Sequence, residues 1–230
     1  MKSIAFDEEN GKYISARIRE FFKRYQVSEI LRKSNAYKQQ GVSAMTFLSY
    51  LFCLVFRSRS MLLDMSSSKA PVFRKDTIYR LKNATRINWM CFTTLLSAKI
   101  IGETVEALTS AKRRNAFVID DTIFERNGSK KVELLAKVYD HARHHFTRSF
   151  RMLTLGWSDG VTFLPVTSCL LSTENQRDRI TDEKILDPRS NGAKAMELAD
   201  ISFVEAMEKL QLFWKNCCRD LTPYSRIFAL

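Results

Sequence analysis

Residues 116–122 read Ala-Phe-Val-Ile-Asp-Asp-Thr, an apolar run rich in β-branched and aromatic side chains that stops abruptly at two acids. That composition predicts a buried strand. Successive strand residues point to opposite faces, so Asp121 shares a face with Phe117 and Ile119, while Asp120 goes with Val118. A single metal site would therefore receive one of the two. An acid ending a buried strand is costly unless a metal, a cation or water meets it. On these residues alone two readings stay open: a functional carboxylate, or an acidic pair that simply begins a solvated turn.

Toward the C-terminus, the polar stretch ERNGSKK (125–131) predicts a loop with Gly128 at its turn. Two further strands are predicted, at Phe150–Trp157 and Val161–Leu171, separated by Ser158-Asp159-Gly160. Asp-Gly at that junction is a hairpin signal, so Asp159 reads as a residue selected for turn geometry. Pro165 has no N–H to donate, which predicts that the third strand lies at a sheet edge. After residue 192 the spacing of Met196, Leu198, Ile201, Phe203, Val204, Met207 and Leu210 turns helical.

Before residue 112 the pattern is helical. Ile14, Ile18, Phe21, Phe22 and Tyr25 predict an amphipathic helix over 11–34, and Ser43 can cap an apolar helix over 44–56. At 13 residues, with Thr46 and Ser49 inside it, that run is too short for a membrane span of about 20 residues. Beyond a polar break at 66–71, Asp76 can cap a short helix that Asn83 ends. A further helix from Arg86 to Ile101 would bury Ile87, Trp89, Met90, Phe92 and Leu95. Trp89 reads as core, not as a base-stacking platform.

The charge is as one-sided as the pattern. Residues 1–115 hold 21 Lys and Arg against 9 Asp and Glu, and the remainder is neutral, so the first half carries the whole net charge of +12. A half-chain that basic suits a polyanion, because each phosphate neutralised releases counterions. Arg57, Arg59, Arg74, Lys75, Arg80, Lys82 and Arg86 are the candidate DNA contacts, and the short helices around them are compatible with a helix-turn-helix. The N-terminus MKSIAFDEENGKY places charges where a signal peptide has its apolar core, so secretion is not expected. Cys53, Cys91, Cys169, Cys217 and Cys218 are odd in number and form no CxxC pair, as reduced thiols of a cytosolic protein would.

FVIDDT (117–122), KKVELLAKVYDH (130–141), SFRMLTLGWSDGVTFLPVTSCLLS (149–172) and RSNGAK (189–194) together resemble DDE transposases of bacterial insertion sequences, more narrowly the insertion-sequence-four-like group, over about residues 30–200. The resemblance implies an α+β protein: an all-helical DNA-binding region at 1–110, then at 111–230 an incomplete RNase-H-like α/β domain opened by three antiparallel strands. It implies that the acid before Thr122, Asp121, is the first catalytic residue and metal ligand, with Asp120 as second candidate. In the complete enzyme two Mg2+ (or Mn2+) ions held by three carboxylates would activate water or a 3′-hydroxyl for attack on a phosphodiester. Transposon ends and target, both double-stranded DNA, are the implied partners; a homodimer is left open, no membrane is expected, and the implied location is the bacterial cytoplasm at the nucleoid.

The same resemblance calls for a second aspartate on a fourth strand and a later glutamate on a helix. Neither is found in EKLQLFWKNCCRDLTPYSRIFAL (208–230), where Asp220 lies in an unmatched polar context, so a truncated reading frame is expected. His141, His144 and His145 crowd within five residues; on a helix His141 and His145 would share a face. Arg143 and Arg148 beside them favour a basic surface segment over a metal site. The rival readings are a helix-turn-helix regulator, for which Asp121 is dispensable, and an inert remnant with an unpaired sheet edge.

Overall fold

The computed structural model describes residues 8–38, 40–66, 73–110, 112–130, 132, 135–171, 173 and 176–180. Along them run helices α1 (Glu8–Arg24), α2 (Val27–Lys33), α3 (Ala44–Phe56), α4 (Met61–Met65), α5 (Lys75–Lys82), α6 (Trp89–Ile100) and α7 (Glu106–Leu108), then strands β1 (Ala116–Glu125), β2 (Ala136–Asp140), β3 (His145–Ser158) and β4 (Phe163–Leu171). The chain divides into two compact units between Phe92 and Thr93, inside α6.

The first unit is helical. The single helix predicted over 11–34 is in fact two, broken at Gln26 in a left-handed conformation with φ 50°. The stripe made by Ile14, Ile18, Phe21, Phe22 and Tyr25 would continue at Ser28, Glu29 and Arg32, whereas the buried residues are Val27, Ile30 and Leu31. Only a restart of the helix in a new phase buries them. Around α1, Phe21 lies 4.8 Å from Tyr25, and Phe22 meets Phe52 of α3 edge-on at 5.2 Å.

α3 has the predicted bounds and the predicted cap, the Ser43 hydroxyl accepting from the Thr46 N–H at 3.1 Å. It ends in a left-handed Ser58, with Arg59 N–H returning to the Leu54 carbonyl at 3.2 Å. The buried Asp64 of α4 accepts from the Tyr50 hydroxyl at 3.0 Å. Burial and this carboxylate together push the Tyr50 hydroxyl up to about 12. Asn83 closes α5 as predicted, whereas Asp76 lies inside its first turn behind Arg74, which occupies the capping position. α6 starts at Trp89, with Asn88 accepting from the Cys91 N–H at 2.9 Å.

In the second unit α6 passes through a π-helical turn, Ile101–Val105, into α7. The sheet has four antiparallel strands where three are predicted. β3 is the central strand: β1 pairs along one side of it, and β2 and β4 pair with its first and second halves. The unpredicted strand is β2, whose five residues hold only two small or branched apolar side chains, too little for period-two reading. β4 pairs with β3 alone among the described residues, as Pro165 requires of an edge. At Pro165 the register slips, Leu155 facing Thr167 and Gly156 facing Pro165, so that Val166 is the extra residue of a bulge. Val166 is thereby buried with Ala98, Ile101 and Trp157 at the centre of the core, flanked by Phe117 and Leu164. The predicted helical stretch 196–210, the Asn-Gly segment at 189–194 and Asp220 lie outside the described residues.

Candidate functional site

The two acids of β1 separate as strand geometry demands. Asp121 faces Leu153 across the ladder, in the row series Phe117–Trp157, Ile119–Leu155, Asp121–Leu153, Ile123–Arg151 that begins in the packed core. That face becomes polar where it nears its end: Arg151 donates from Nε to the Asp121 carboxylate at 3.1 Å, and its terminal nitrogen reaches the same oxygen. The Asp121 side chain keeps 30% of its surface exposed. Asp120 faces Thr154 on the opposite face, exposed, and accepts from the Thr122 hydroxyl at 2.8 Å.

Among the described residues no three His, Cys, Asp or Glu side chains are grouped so as to hold a metal ion. Asp121 is met there by a cation and not by further carboxylates, so the donor set on this face does not by itself fit a divalent ion. Sequence reasoning does not reach Arg151, although antiparallel pairing of this strand with 149–158 puts a basic residue in the same-face row next to the acid.

The histidines are not on a helix. His141 and His144 belong to the turn joining β2 to β3, His144 with φ 54°, and His145 opens β3. Asp140 shapes this turn by accepting from the Arg143 and Ala142 N–H groups, at 3.1 and 2.8 Å, which hold its carboxyl below the usual range. His141 and His145 are thus placed by hairpin geometry and not by helical spacing.

Asp159 behaves as a turn residue. Its Oδ1 accepts from the Thr162 N–H at 2.6 Å and the Val161 N–H at 3.0 Å, and its Oδ2 from Thr109 at 3.0 Å and Arg113 at 3.1 Å. The two backbone donors lead in holding this buried carboxyl far below the usual aspartate range. Among the described residues Cys53, Cys91 and Cys169 form no disulfide, and burial pushes the Cys169 thiol up, away from reactivity.

The basic candidates fall in the first unit and are solvent-facing. Arg57 caps α3 at its C-terminal end, Arg59 lies 3.9 Å from Asp64, and Arg74 precedes α5. α5 buries Ile78 and Leu81 and leaves Lys75, Arg80 and Lys82 exposed. Arg86 stacks on the Tyr37 ring at 5.4 Å and donates to the Tyr37 carbonyl at 2.6 Å. No helix among the described residues is long and apolar enough to cross a membrane.

The mixed helix-and-sheet plan with a four-stranded antiparallel sheet is consistent with an α+β nuclease fold. A family model described as DDE superfamily endonuclease matches residues 45–208, most of the chain, and the chain belongs to that family. Its function class is that of a transposase-like nuclease, with DNA as the substrate that the family implies. DDE superfamily nucleases generally use divalent metal ions. No curated protein and no solved structure matches the chain.

Proposed function

We propose that this chain acts in DNA transposition as a transposase of the insertion-sequence-four-like group. In this reading the basic helical region, residues 1–110, binds insertion-sequence ends, and residues 111–230 form an RNase-H-like domain of the kind that cuts and joins DNA phosphodiesters. Asp121 is its first catalytic carboxylate, with Asp120 as the alternative. The observation that carries this reading is a carboxylate on the packed face of β1, at the rim of the core and open to solvent, in a DDE-family chain. A carboxylate on a strand is held more rigidly than one on a loop. The expected cofactor is Mg2+ or Mn2+, and the remaining donors would have to come from outside the described residues.

The test is nicking of supercoiled plasmid bearing insertion-sequence ends by the full chain with Mg2+ or Mn2+. Nicking that disappears in Asp121→Asn and persists in Asp120→Asn supports the assignment; the reverse pattern moves it to Asp120. The Arg151 guanidinium on Asp121, a cation where catalysis would place a metal, favours a second reading, a DNA-binding regulator without catalysis. It predicts duplex binding that neither substitution nor removal of divalent ions alters.

A further inference from the structure

The β2–β3 hairpin carries three rows of side chains on the sheet face opposite the core. Tyr139 faces Phe146, Lys137 faces Arg148, and beyond them Phe150 faces Phe124 of β1. The rows alternate aromatic, cationic, aromatic, with roughly 7 Å between successive rows from the strand rise. Phe146 is 57% exposed and Phe124 43%. The Lys137 ammonium lies 4.7 Å from the centre of the Phe146 ring, and Tyr139 meets Phe146 at 5.1 Å and His141 at 5.0 Å. Among the described residues neither Lys137 nor Arg148 pairs with a carboxylate; the nearby acids Glu125 and Asp140 are both engaged by Arg143.

An apolar element packed over this face would bury two cations without counter-charge, which is strongly unfavourable. A partner with negative charges between flat apolar groups matches the same rows. Unpaired nucleotides have that chemistry: bases stack on exposed rings while phosphates run past the cations. The geometry points to the hairpin face made by Lys137, Tyr139, Phe146 and Arg148 as a binding platform for single-stranded DNA, separate from the basic helices of the first unit. A duplex keeps its bases stacked on one another and cannot use the rings, so the platform discriminates for strands that are already open.

The inference rests on the chain acting on DNA, and the experiment separates the two. Fluorescence anisotropy of the full chain is measured with a labelled single-stranded oligonucleotide and with the matching duplex. Phe146→Ala is expected to weaken single-strand binding roughly tenfold and to leave duplex binding unchanged. Lys137→Ala and Arg148→Ala should each reduce the salt dependence of single-strand binding by about 0.7 in log–log slope. Phe146→Trp, which preserves the aromatic surface, should retain affinity and show quenching of its added emission by the single strand. Duplex binding with no single-strand binding, or a Phe146→Trp protein that binds the strand without quenching, overturns the platform while leaving the proposed function in place. Single-strand binding that depends on Phe146, with no duplex binding, sustains the platform and overturns the proposed binding of transposon ends.

Discussion

Asp121 and Asp159 are both aspartates of the sheet unit, and each touches an arginine, yet they are held in opposite ways. Asp159 is buried and collects two backbone N–H groups, a hydroxyl and Arg113. Its charge is built into the turn that joins β3 to β4. Asp121 keeps part of its surface in water, and its partner among the described residues is the guanidinium end of the long Arg151 side chain, itself 45% exposed. A charge satisfied by backbone is committed to the fold, whereas one met by a long side chain can exchange that partner at little cost, since exposed ion pairs are worth about 0–1 kcal/mol. The difference marks Asp159 as structural and leaves Asp121 available for chemistry.

Four measurements would break or sharpen that contrast. The largest effect is expected from Asp121→Asn, which should lower plasmid nicking on the order of a thousandfold while leaving Tm unchanged. Asp159→Ala should do the opposite, lowering Tm by roughly 5 °C through loss of the turn; equal melting temperatures for the two variants would erase the distinction. Acid titration gives a smaller signal with a defined sign. Because the folded Asp159 carboxyl is held below its ordinary value, the stability it contributes is fully present above the unfolded value near pH ~3.9 and is lost as pH falls through the folded one. The native chain should therefore lose stability between about pH 4 and 2 more steeply than Asp159→Asn does. Smallest of all, Arg151→Ala should shift Tm by about 1 °C or less, and Arg113→Ala by more, as it leaves the buried Asp159 short of one partner.

Much of this was legible along the chain. The composition of 116–122 predicted β1 and the opposite facing of its two acids, although the strand does not stop at them but pairs with β3 as far as Glu125, and Pro165 predicted an edge. Ser43 begins α3 where predicted because capping is a local competition between a side chain and the first turn, and Asn83 ends α5 where predicted. What escaped were features whose cause lies elsewhere in the molecule. β2 is a strand because the Asp140 turn folds it onto β3, not because of its own five residues. The break at Gln26 follows from the need to bury Val27 against neighbours that the local pattern does not contain.

The candidate site divides in the same way. Composition and spacing determined that the first half carries the net positive charge, that a strand holds two adjacent acids on opposite faces, and that Asp159 serves a turn, since charge, propensity and turn chemistry are properties of short segments. Only the tertiary structure decided that Arg151 answers Asp121 and that Lys137 and Arg148 lie between rows of aromatic rings. Those neighbours are set by the registers of β1 and β2 against β3, which depend on long-range pairing that no short stretch of sequence contains.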